Sequence, residues 1–194
     1  MRLIAITPEY PFEGEAKAIE RIIEAGFCRV HLRMPHATDA EAMRVMQAIR
    51  PGLHGRIVLA SHYGALAGKF AFGGVHIKAG MDFNSPQWRG MIKSRSYHRG
   101  DSFDDIGHYD YAFLSPVQDS ISKQGYQSAF TRSELRQILA CGRLRSRLVA
   151  LGGVTAGSIH WLCDVGFTGA AFLGYLKADT NDLDAQLNKI KQSL

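Results

Sequence analysis

The chain has 194 residues, 46% of them hydrophobic and 21% charged, with a net charge of +5. That is long enough for one buried core and too short for two ordinary domains, so residues 1–194 are read as a single domain. No apolar run approaches the roughly 18 residues of a membrane helix, and the run Leu3-Ile4-Ala5-Ile6 is too short for a secretory leader. A cytoplasmic protein with no membrane partner is therefore expected.

In chain order, apolar runs of strand character fall at 3–7, 29–33, 57–61, 74–78, 92–98, 109–115, 148–151 and 170–173. Amphipathic stretches of helical period lie between them at 15–25, 39–49, 133–141 and 182–194. Thr38 and Thr131 stand where helix N-caps belong, and Thr131-Arg132-Ser133-Glu134 has the capping-box pattern. Strand then helix, eight times over, predicts an α/β fold of the (β/α)8 TIM-barrel type, with its site at the C-terminal ends of the strands. The length is below the usual size, so several helices must be short, above all after Ser61 and over 101–107. An open doubly wound sheet would need a Gly-rich turn after the first strand, and Thr7-Pro8-Glu9-Tyr10 has none.

Three cysteines, Cys28, Cys141 and Cys163, are an odd number without CxxC spacing. They argue against a disulfide framework or a structural zinc site and are expected to be small buried side chains. Arg143, Arg145 and Arg147 cluster between a predicted helix and a strand without interleaved aromatic residues. They read as a solvated loop, and no nucleic-acid partner is expected. The positive field favours small anionic ligands instead.

Side chains of a strand alternate between its faces, so polar residues on the inward face near a strand end converge on the mouth. On the second strand Val30 and Leu32 would face helices while His31 and Arg33 share the other side, with Arg33 a candidate anion clamp. Ser61 closes the third strand, and on the fifth Ser94, Ser96 and His98 share a face. The sixth strand leads into a hydroxyl-rich loop in which Lys123 supplies charge and Ser120 or Ser122 hydrogen bonds to an anion. The seventh strand ends in Gly152-Gly153 and the eighth in Leu173-Gly174. Loops at these two places hold phosphate in phosphate-binding barrels, and missing side chains let an anion reach backbone N–H groups. Two turns needing positive φ are the plainer explanation of the glycines. His31, His62, His76 and His98 near successive strand ends raise a metal reading, but no His-x-His pair and no closing carboxylate support it, so no metal is assigned.

The order of these pieces resembles the thiamine phosphate synthase/TenI superfamily over nearly the whole chain. The motifs are Leu3-Ile4-Ala5-Ile6-Thr7, Val30-His31-Leu32-Arg33, Gly74-Val75-His76-Ile77, Ser115-Pro116-Val117 through Lys123, and Leu151-Gly152-Gly153-Val154-Thr155. The resemblance implies a thiazole-phosphate cradle at the last of these. In the synthases the third strand ends in Asn-Asp and an aspartate follows the fourth, and those two aspartates hold a magnesium ion. Here the matching positions carry Ser61, His62 and Met81, with Asp82 as the neighbouring substitute. The TenI branch is closer, through His31 with Arg33 and through Arg95, Ser96 and His98.

That closeness implies a thiazole tautomerase in thiamine biosynthesis, with His98 as general acid/base, Ser96 beside it, and no cofactor. A magnesium-dependent synthase joining a pyrimidine pyrophosphate to thiazole phosphate is the alternative, and a non-catalytic thiamine-phosphate-binding regulator a third. The expected partner is a small phosphorylated thiazole or thiamine-related ligand, with room for a homo-oligomer.

Overall fold

The computed structural model describes residues 1–67, 69–119, 129–178 and 180–194. Eight strands pair in parallel, each with the next and the last with the first, into a closed barrel. They are β1 (Arg2–Ile6), β2 (Arg29–Leu32), β3 (Ile57–Ala60), β4 (Gly74–His76), β5 (Ile92–Tyr97), β6 (Tyr111–Leu114), β7 (Leu148–Ala150) and β8 (Gly169–Phe172). The eight staves fall where the apolar runs predict them.

Two-residue alternation sorts each stave. Ile4, Ile6, Tyr111, Phe113, Val149 and Ala171 pack together inside the barrel. Leu3, Ala5, Val30, Leu32, Leu59 and Ala112 join the larger core that the surrounding helices cover. Register then decides which inward residues meet: Ile6 stands beside His31, His76 beside Ser94, and Ser96 beside Phe113.

The helices are unequal. Long ones are α1 (Glu15–Glu24), α2 (Asp39–Ala48), α4 (Arg132–Ala140) and α7 (Leu183–Gln192), while α3 (Gly64–Ala67) is a single turn. Between β4 and β5, and between β5 and β6, the connections carry only the 3-10 turns Pro86–Trp88 and Asp104–His108. The two threonine caps form as predicted. Thr38 accepts from Glu41 N–H at the start of α2, Thr131 accepts from Glu134 N–H at the start of α4, and both glutamates bond back. A cap of this kind stabilises by about 1 kcal/mol.

Two expectations fail. All three cysteines are exposed, because Cys28 lies in the turn before β2, with its thiol donating to Leu3 O (3.0 Å), while Cys141 caps the end of α4 and Cys163 lies on an exposed position of a later helix. The Arg143 to Arg147 cluster is not a loop but the helix α5 (Gly142–Arg147), begun by the Arg145 N–H donating to Cys141 O (2.9 Å). It leads into β7 after α4 and before α6 (Ile159–Val165). Among the described residues no helix is long and apolar enough to cross a membrane.

Candidate active site

The barrel interior has an unusually polar stretch built by β2, β4, β5 and β6. His31 Nε2 lies 2.6 Å from the Tyr111 hydroxyl. His76 bonds both neighbouring hydroxyls of β5, with Nδ1 3.0 Å from Ser94 Oγ and Nε2 3.2 Å from Ser96 Oγ. The two imidazoles sit 5.4 Å apart, and the Phe113 ring lies 4.9 Å from one and 5.4 Å from the other. Ser94 donates in turn to Val75 O at 3.5 Å.

Burial makes both imidazoles neutral. His31 is held well below the ordinary histidine value, first by desolvation and then by the charges of His76 and Arg29. His76 is pushed down to about 4 by desolvation, with Arg95 adding to it. Burial also raises the Tyr111 hydroxyl, so it stays protonated. A neutral imidazole has one donor and one acceptor nitrogen, which suits a site where every polar neighbour is a hydroxyl.

Above this floor the predicted mouth residues are arranged differently from one another. His98 follows β5 directly and is open to solvent, its side chain 63% exposed. Asp101 accepts from its backbone N–H (2.8 Å) and lies 3.7 Å from its Nδ1. Arg95, the other basic residue of that motif, points away from the interior to pair with Asp105 and to cover the Tyr97 ring at 4.2 Å. Arg33 is half-exposed and already paired with Glu9 at 2.6 Å, and His36 approaches the same carboxylate at 3.5 Å. His31 is only 4% exposed, so it is a floor residue and not a surface one. Ser120, Ser122, Lys123 and the Ser61 side chain lie outside the described residues.

On the opposite side Gly152 and Gly153 both have positive φ, 92° and 68°. A Cβ on Gly152 would stand 2.7 Å from Pro116 Cα, and one on Gly153 2.3 Å from Asp119 O. The glycines therefore let the segment after β6 close onto the turn after β7. Val117 N–H donates to Leu151 O (3.0 Å), Gln118 N–H to Gly152 O (3.2 Å), and the Ser158 hydroxyl to Gln118 Oε1 (2.6 Å). The space beside these glycines is thus filled by protein. What remains for an anion is the backbone itself: among the described residues, the Gly153 and Gly174 N–H groups donate to no acceptor. Leu173 packs on the inner cluster, which leaves Gly174 exposed at the rim.

Two residues here escape sequence reading. His76 is given no site role by the sequence, only a place in the rejected metal set and in the fourth-strand motif, although the alternation that aligns Ser94 with Ser96 also turns it inward. Glu15, the first residue of α1, is 2% exposed, with both carboxylate oxygens lacking a hydrogen bond. Burial raises its pKa to about 7, against the weaker pull of the nearby Phe12 N–H and Thr7 hydroxyl, neither of which completes a hydrogen bond to the carboxylate.

The sequence profile of the thiamine monophosphate synthase family matches residues 3–176. The chain belongs to the thiamine monophosphate synthase family. No curated protein matches its sequence. Among solved structures it is similar to a thiamine phosphate pyrophosphorylase from Bacteroides thetaiotaomicron, with 28% identity and a TM-score of 0.81 over 100% of this chain and 97% of that one. It is also similar to a thiamine phosphate pyrophosphorylase from Pyrococcus furiosus, at 16% identity and a TM-score of 0.77 over 99% and 94% of the two chains. A 3-hexulose-6-phosphate synthase, at 15% identity and a TM-score of 0.68 over 100% of both chains, shares the same fold.

The magnesium of the synthase reading does not fit the residues this family member offers. Asp82 is exposed and its Oδ1 accepts from Asn84 N–H at 2.8 Å, while His62 packs its ring 4.1 Å from that of Tyr63. Among the described residues no three histidines, cysteines or carboxylates stand close enough together to hold a metal ion.

Proposed function

We propose that this member of the thiamine monophosphate synthase family binds a thiazole phosphate at the barrel mouth and isomerises it by proton transfer, as the TenI branch does, without a metal or other cofactor. The observation that carries the reading is the exposed His98 imidazole in the residue directly after β5, the strand whose Ser94 and Ser96 both meet His76 inside the barrel. Imidazole is the side chain whose ordinary titration falls near neutral pH, which lets one group take a proton from one ring position and return it at another. The reaction needs nothing else to balance, because the proton removed is the proton returned.

In this reading Ser96 contacts the ligand beside His98. The phosphate lies against the Gly152-Gly153 and Leu173-Gly174 turns, where backbone N–H groups serve an anion best. Lys123 and Ser120, which lie outside the described residues, keep the anion-binding role that the resemblance and the composition of their loop suggest. Arg33, paired with Glu9, contributes positive field more than direct contact, and His31 supports the floor. Replacing His98 by Asn should abolish conversion while thiazole-phosphate affinity stays within a few-fold; unchanged turnover would remove His98 from the mechanism.

A second reading, condensation of a pyrimidine pyrophosphate with thiazole phosphate, is favoured by the family and by the two pyrophosphorylase structures. It requires magnesium-dependent product formation with Asp82 involved. Tight ligand binding with no turnover in either assay would instead support a regulator.

A further inference from the structure

A carboxylate sits where the sequence predicts an anion clamp. Glu9, just past β1, accepts from Arg33 Nη1 at 2.6 Å through Oε1, and His36 Nε2 faces its other oxygen at 3.5 Å. The ends of the two strands hold this arrangement in place. The pairing of Ile6 with His31 continues as Thr7 N–H donating to His31 O (3.0 Å) and Arg33 N–H donating to Thr7 Oγ1 (3.1 Å). Beyond Arg33 the chain turns at Met34, whose φ is 33°, and the Tyr63 hydroxyl lies 3.2 Å from Met34 O and 3.0 Å from Ala37 O. The Tyr10 ring stacks on His36 with centroids 4.8 Å apart.

A guanidinium already paired with a carboxylate has less to offer a second anion, and an anion entering beside it meets the like charge of that carboxylate. β1 pairs with β8 on one side and β2 on the other. The Gly174 turn and the Arg33 clamp therefore stand one strand to either side of it along the rim, as two separate places for an anionic group.

We propose that Glu9 is a specificity-determining residue that occupies the Arg33 clamp, so that the mouth favours a ligand with one phosphate, seated on the backbone cradle, over one that brings a pyrophosphate to the clamp. The preference for a single phosphate rests on the cradle of the proposed function; the occupation of the clamp by Glu9 does not. Both side chains of the pair are 36% exposed, so solvent screens them and the discrimination is graded, not a complete block.

Calorimetry with inorganic pyrophosphate and with thiazole phosphate, without magnesium and at fixed ionic strength, tests this. Glu9→Gln should bind pyrophosphate at least about fivefold more tightly than wild type, while its thiazole-phosphate affinity changes by less than about twofold. Adding Arg33→Gln to Glu9→Gln should cancel the gain. Glu13→Gln removes the same charge from an exposed position on the same segment and should leave pyrophosphate binding within about twofold of wild type. Equal pyrophosphate affinity in wild type and Glu9→Gln overturns the proposal. So does a gain matched by Glu13→Gln, a gain that survives the loss of Arg33, or an equal gain for thiazole phosphate. If wild type binds no thiazole phosphate, the proposed function fails, yet the pyrophosphate comparison still decides whether Glu9 occupies the clamp.

Discussion

The Tyr111 hydroxyl closes on His31 Nε2 at 2.6 Å inside the barrel, joining β6 to β2 across the interior. Both groups are cut off from water, so neither has an alternative partner in solvent. Tyr111→Phe deletes the hydroxyl and leaves a buried ring nitrogen unpaired. The variant should lose about 1–3 kcal/mol of stability, read as a lower urea midpoint with an unchanged slope; a midpoint equal to wild type would contradict the pairing.

Acid should weaken the barrel through the other buried imidazole. His76 is lowered from 6.5 to about 4, so the folded state resists its protonation. The associated stability is complete above the unfolded value and is lost as pH falls through the window between them. By pH 5 the loss is about 2 kcal/mol. Comparing urea unfolding at pH 7 and pH 5 in wild type and in His76→Gln checks this, because the variant should show a visibly smaller drop.

Glu15 gives the opposite slope. Its carboxyl moves from 4.5 to about 7 in the folded state, so the fold holds the proton more tightly than the unfolded chain does. Relative stability is full below 4.5 and is lost as pH rises through about 7. Glu15→Gln mimics the protonated form and should gain on the wild type by roughly 3 kcal/mol between pH 4 and pH 8. Parallel stability curves across that range would show that the carboxylate is not confined as described.

Much of the fold can be read directly from residues such as Leu3-Ile4-Ala5-Ile6, where an apolar run of strand length is bounded by a proline turn. The caps at Thr38 and Thr131 are equally legible, since a capping box is a local event over four residues. The Ser94, Ser96, His98 face is legible too, because alternation within one strand suffices to align it. Pairing between strands is not. That His76 meets those serines depends on β4 and β5 being in the register that sets His76 beside Ser94, and no local pattern encodes that offset. The Glu9 to Arg33 ion pair is hidden for the same reason: its partners are 24 residues apart. Glu15 reads as an ordinary acidic residue at a helix start, and only the packing around it reveals its burial.

The turn after β7 makes a sharper demand on sequence than its loop position suggests. At Gly153 a side chain would combine a positive φ of 68° with a Cβ 2.3 Å from Asp119 O. Gly153→Ala should therefore cost about 1–3 kcal/mol. Gly107→Ala, where nothing stands within 4 Å of the new Cβ, should leave the thermal midpoint nearly unchanged. Similar melting of the two variants would refute the close approach.

The proposed isomerisation depends on His98. The most direct measurement is single-turnover conversion of the thiazole phosphate tautomer to its aromatic form, without added magnesium, by wild type and His98→Asn, with ligand affinity measured calorimetrically on the same preparations. Wild type should convert, and the variant should fall by a factor of about 10² or more with affinity within a few-fold. Conversion by the variant at the wild-type rate, or by the wild type only when magnesium and a pyrimidine pyrophosphate are supplied, would contradict it.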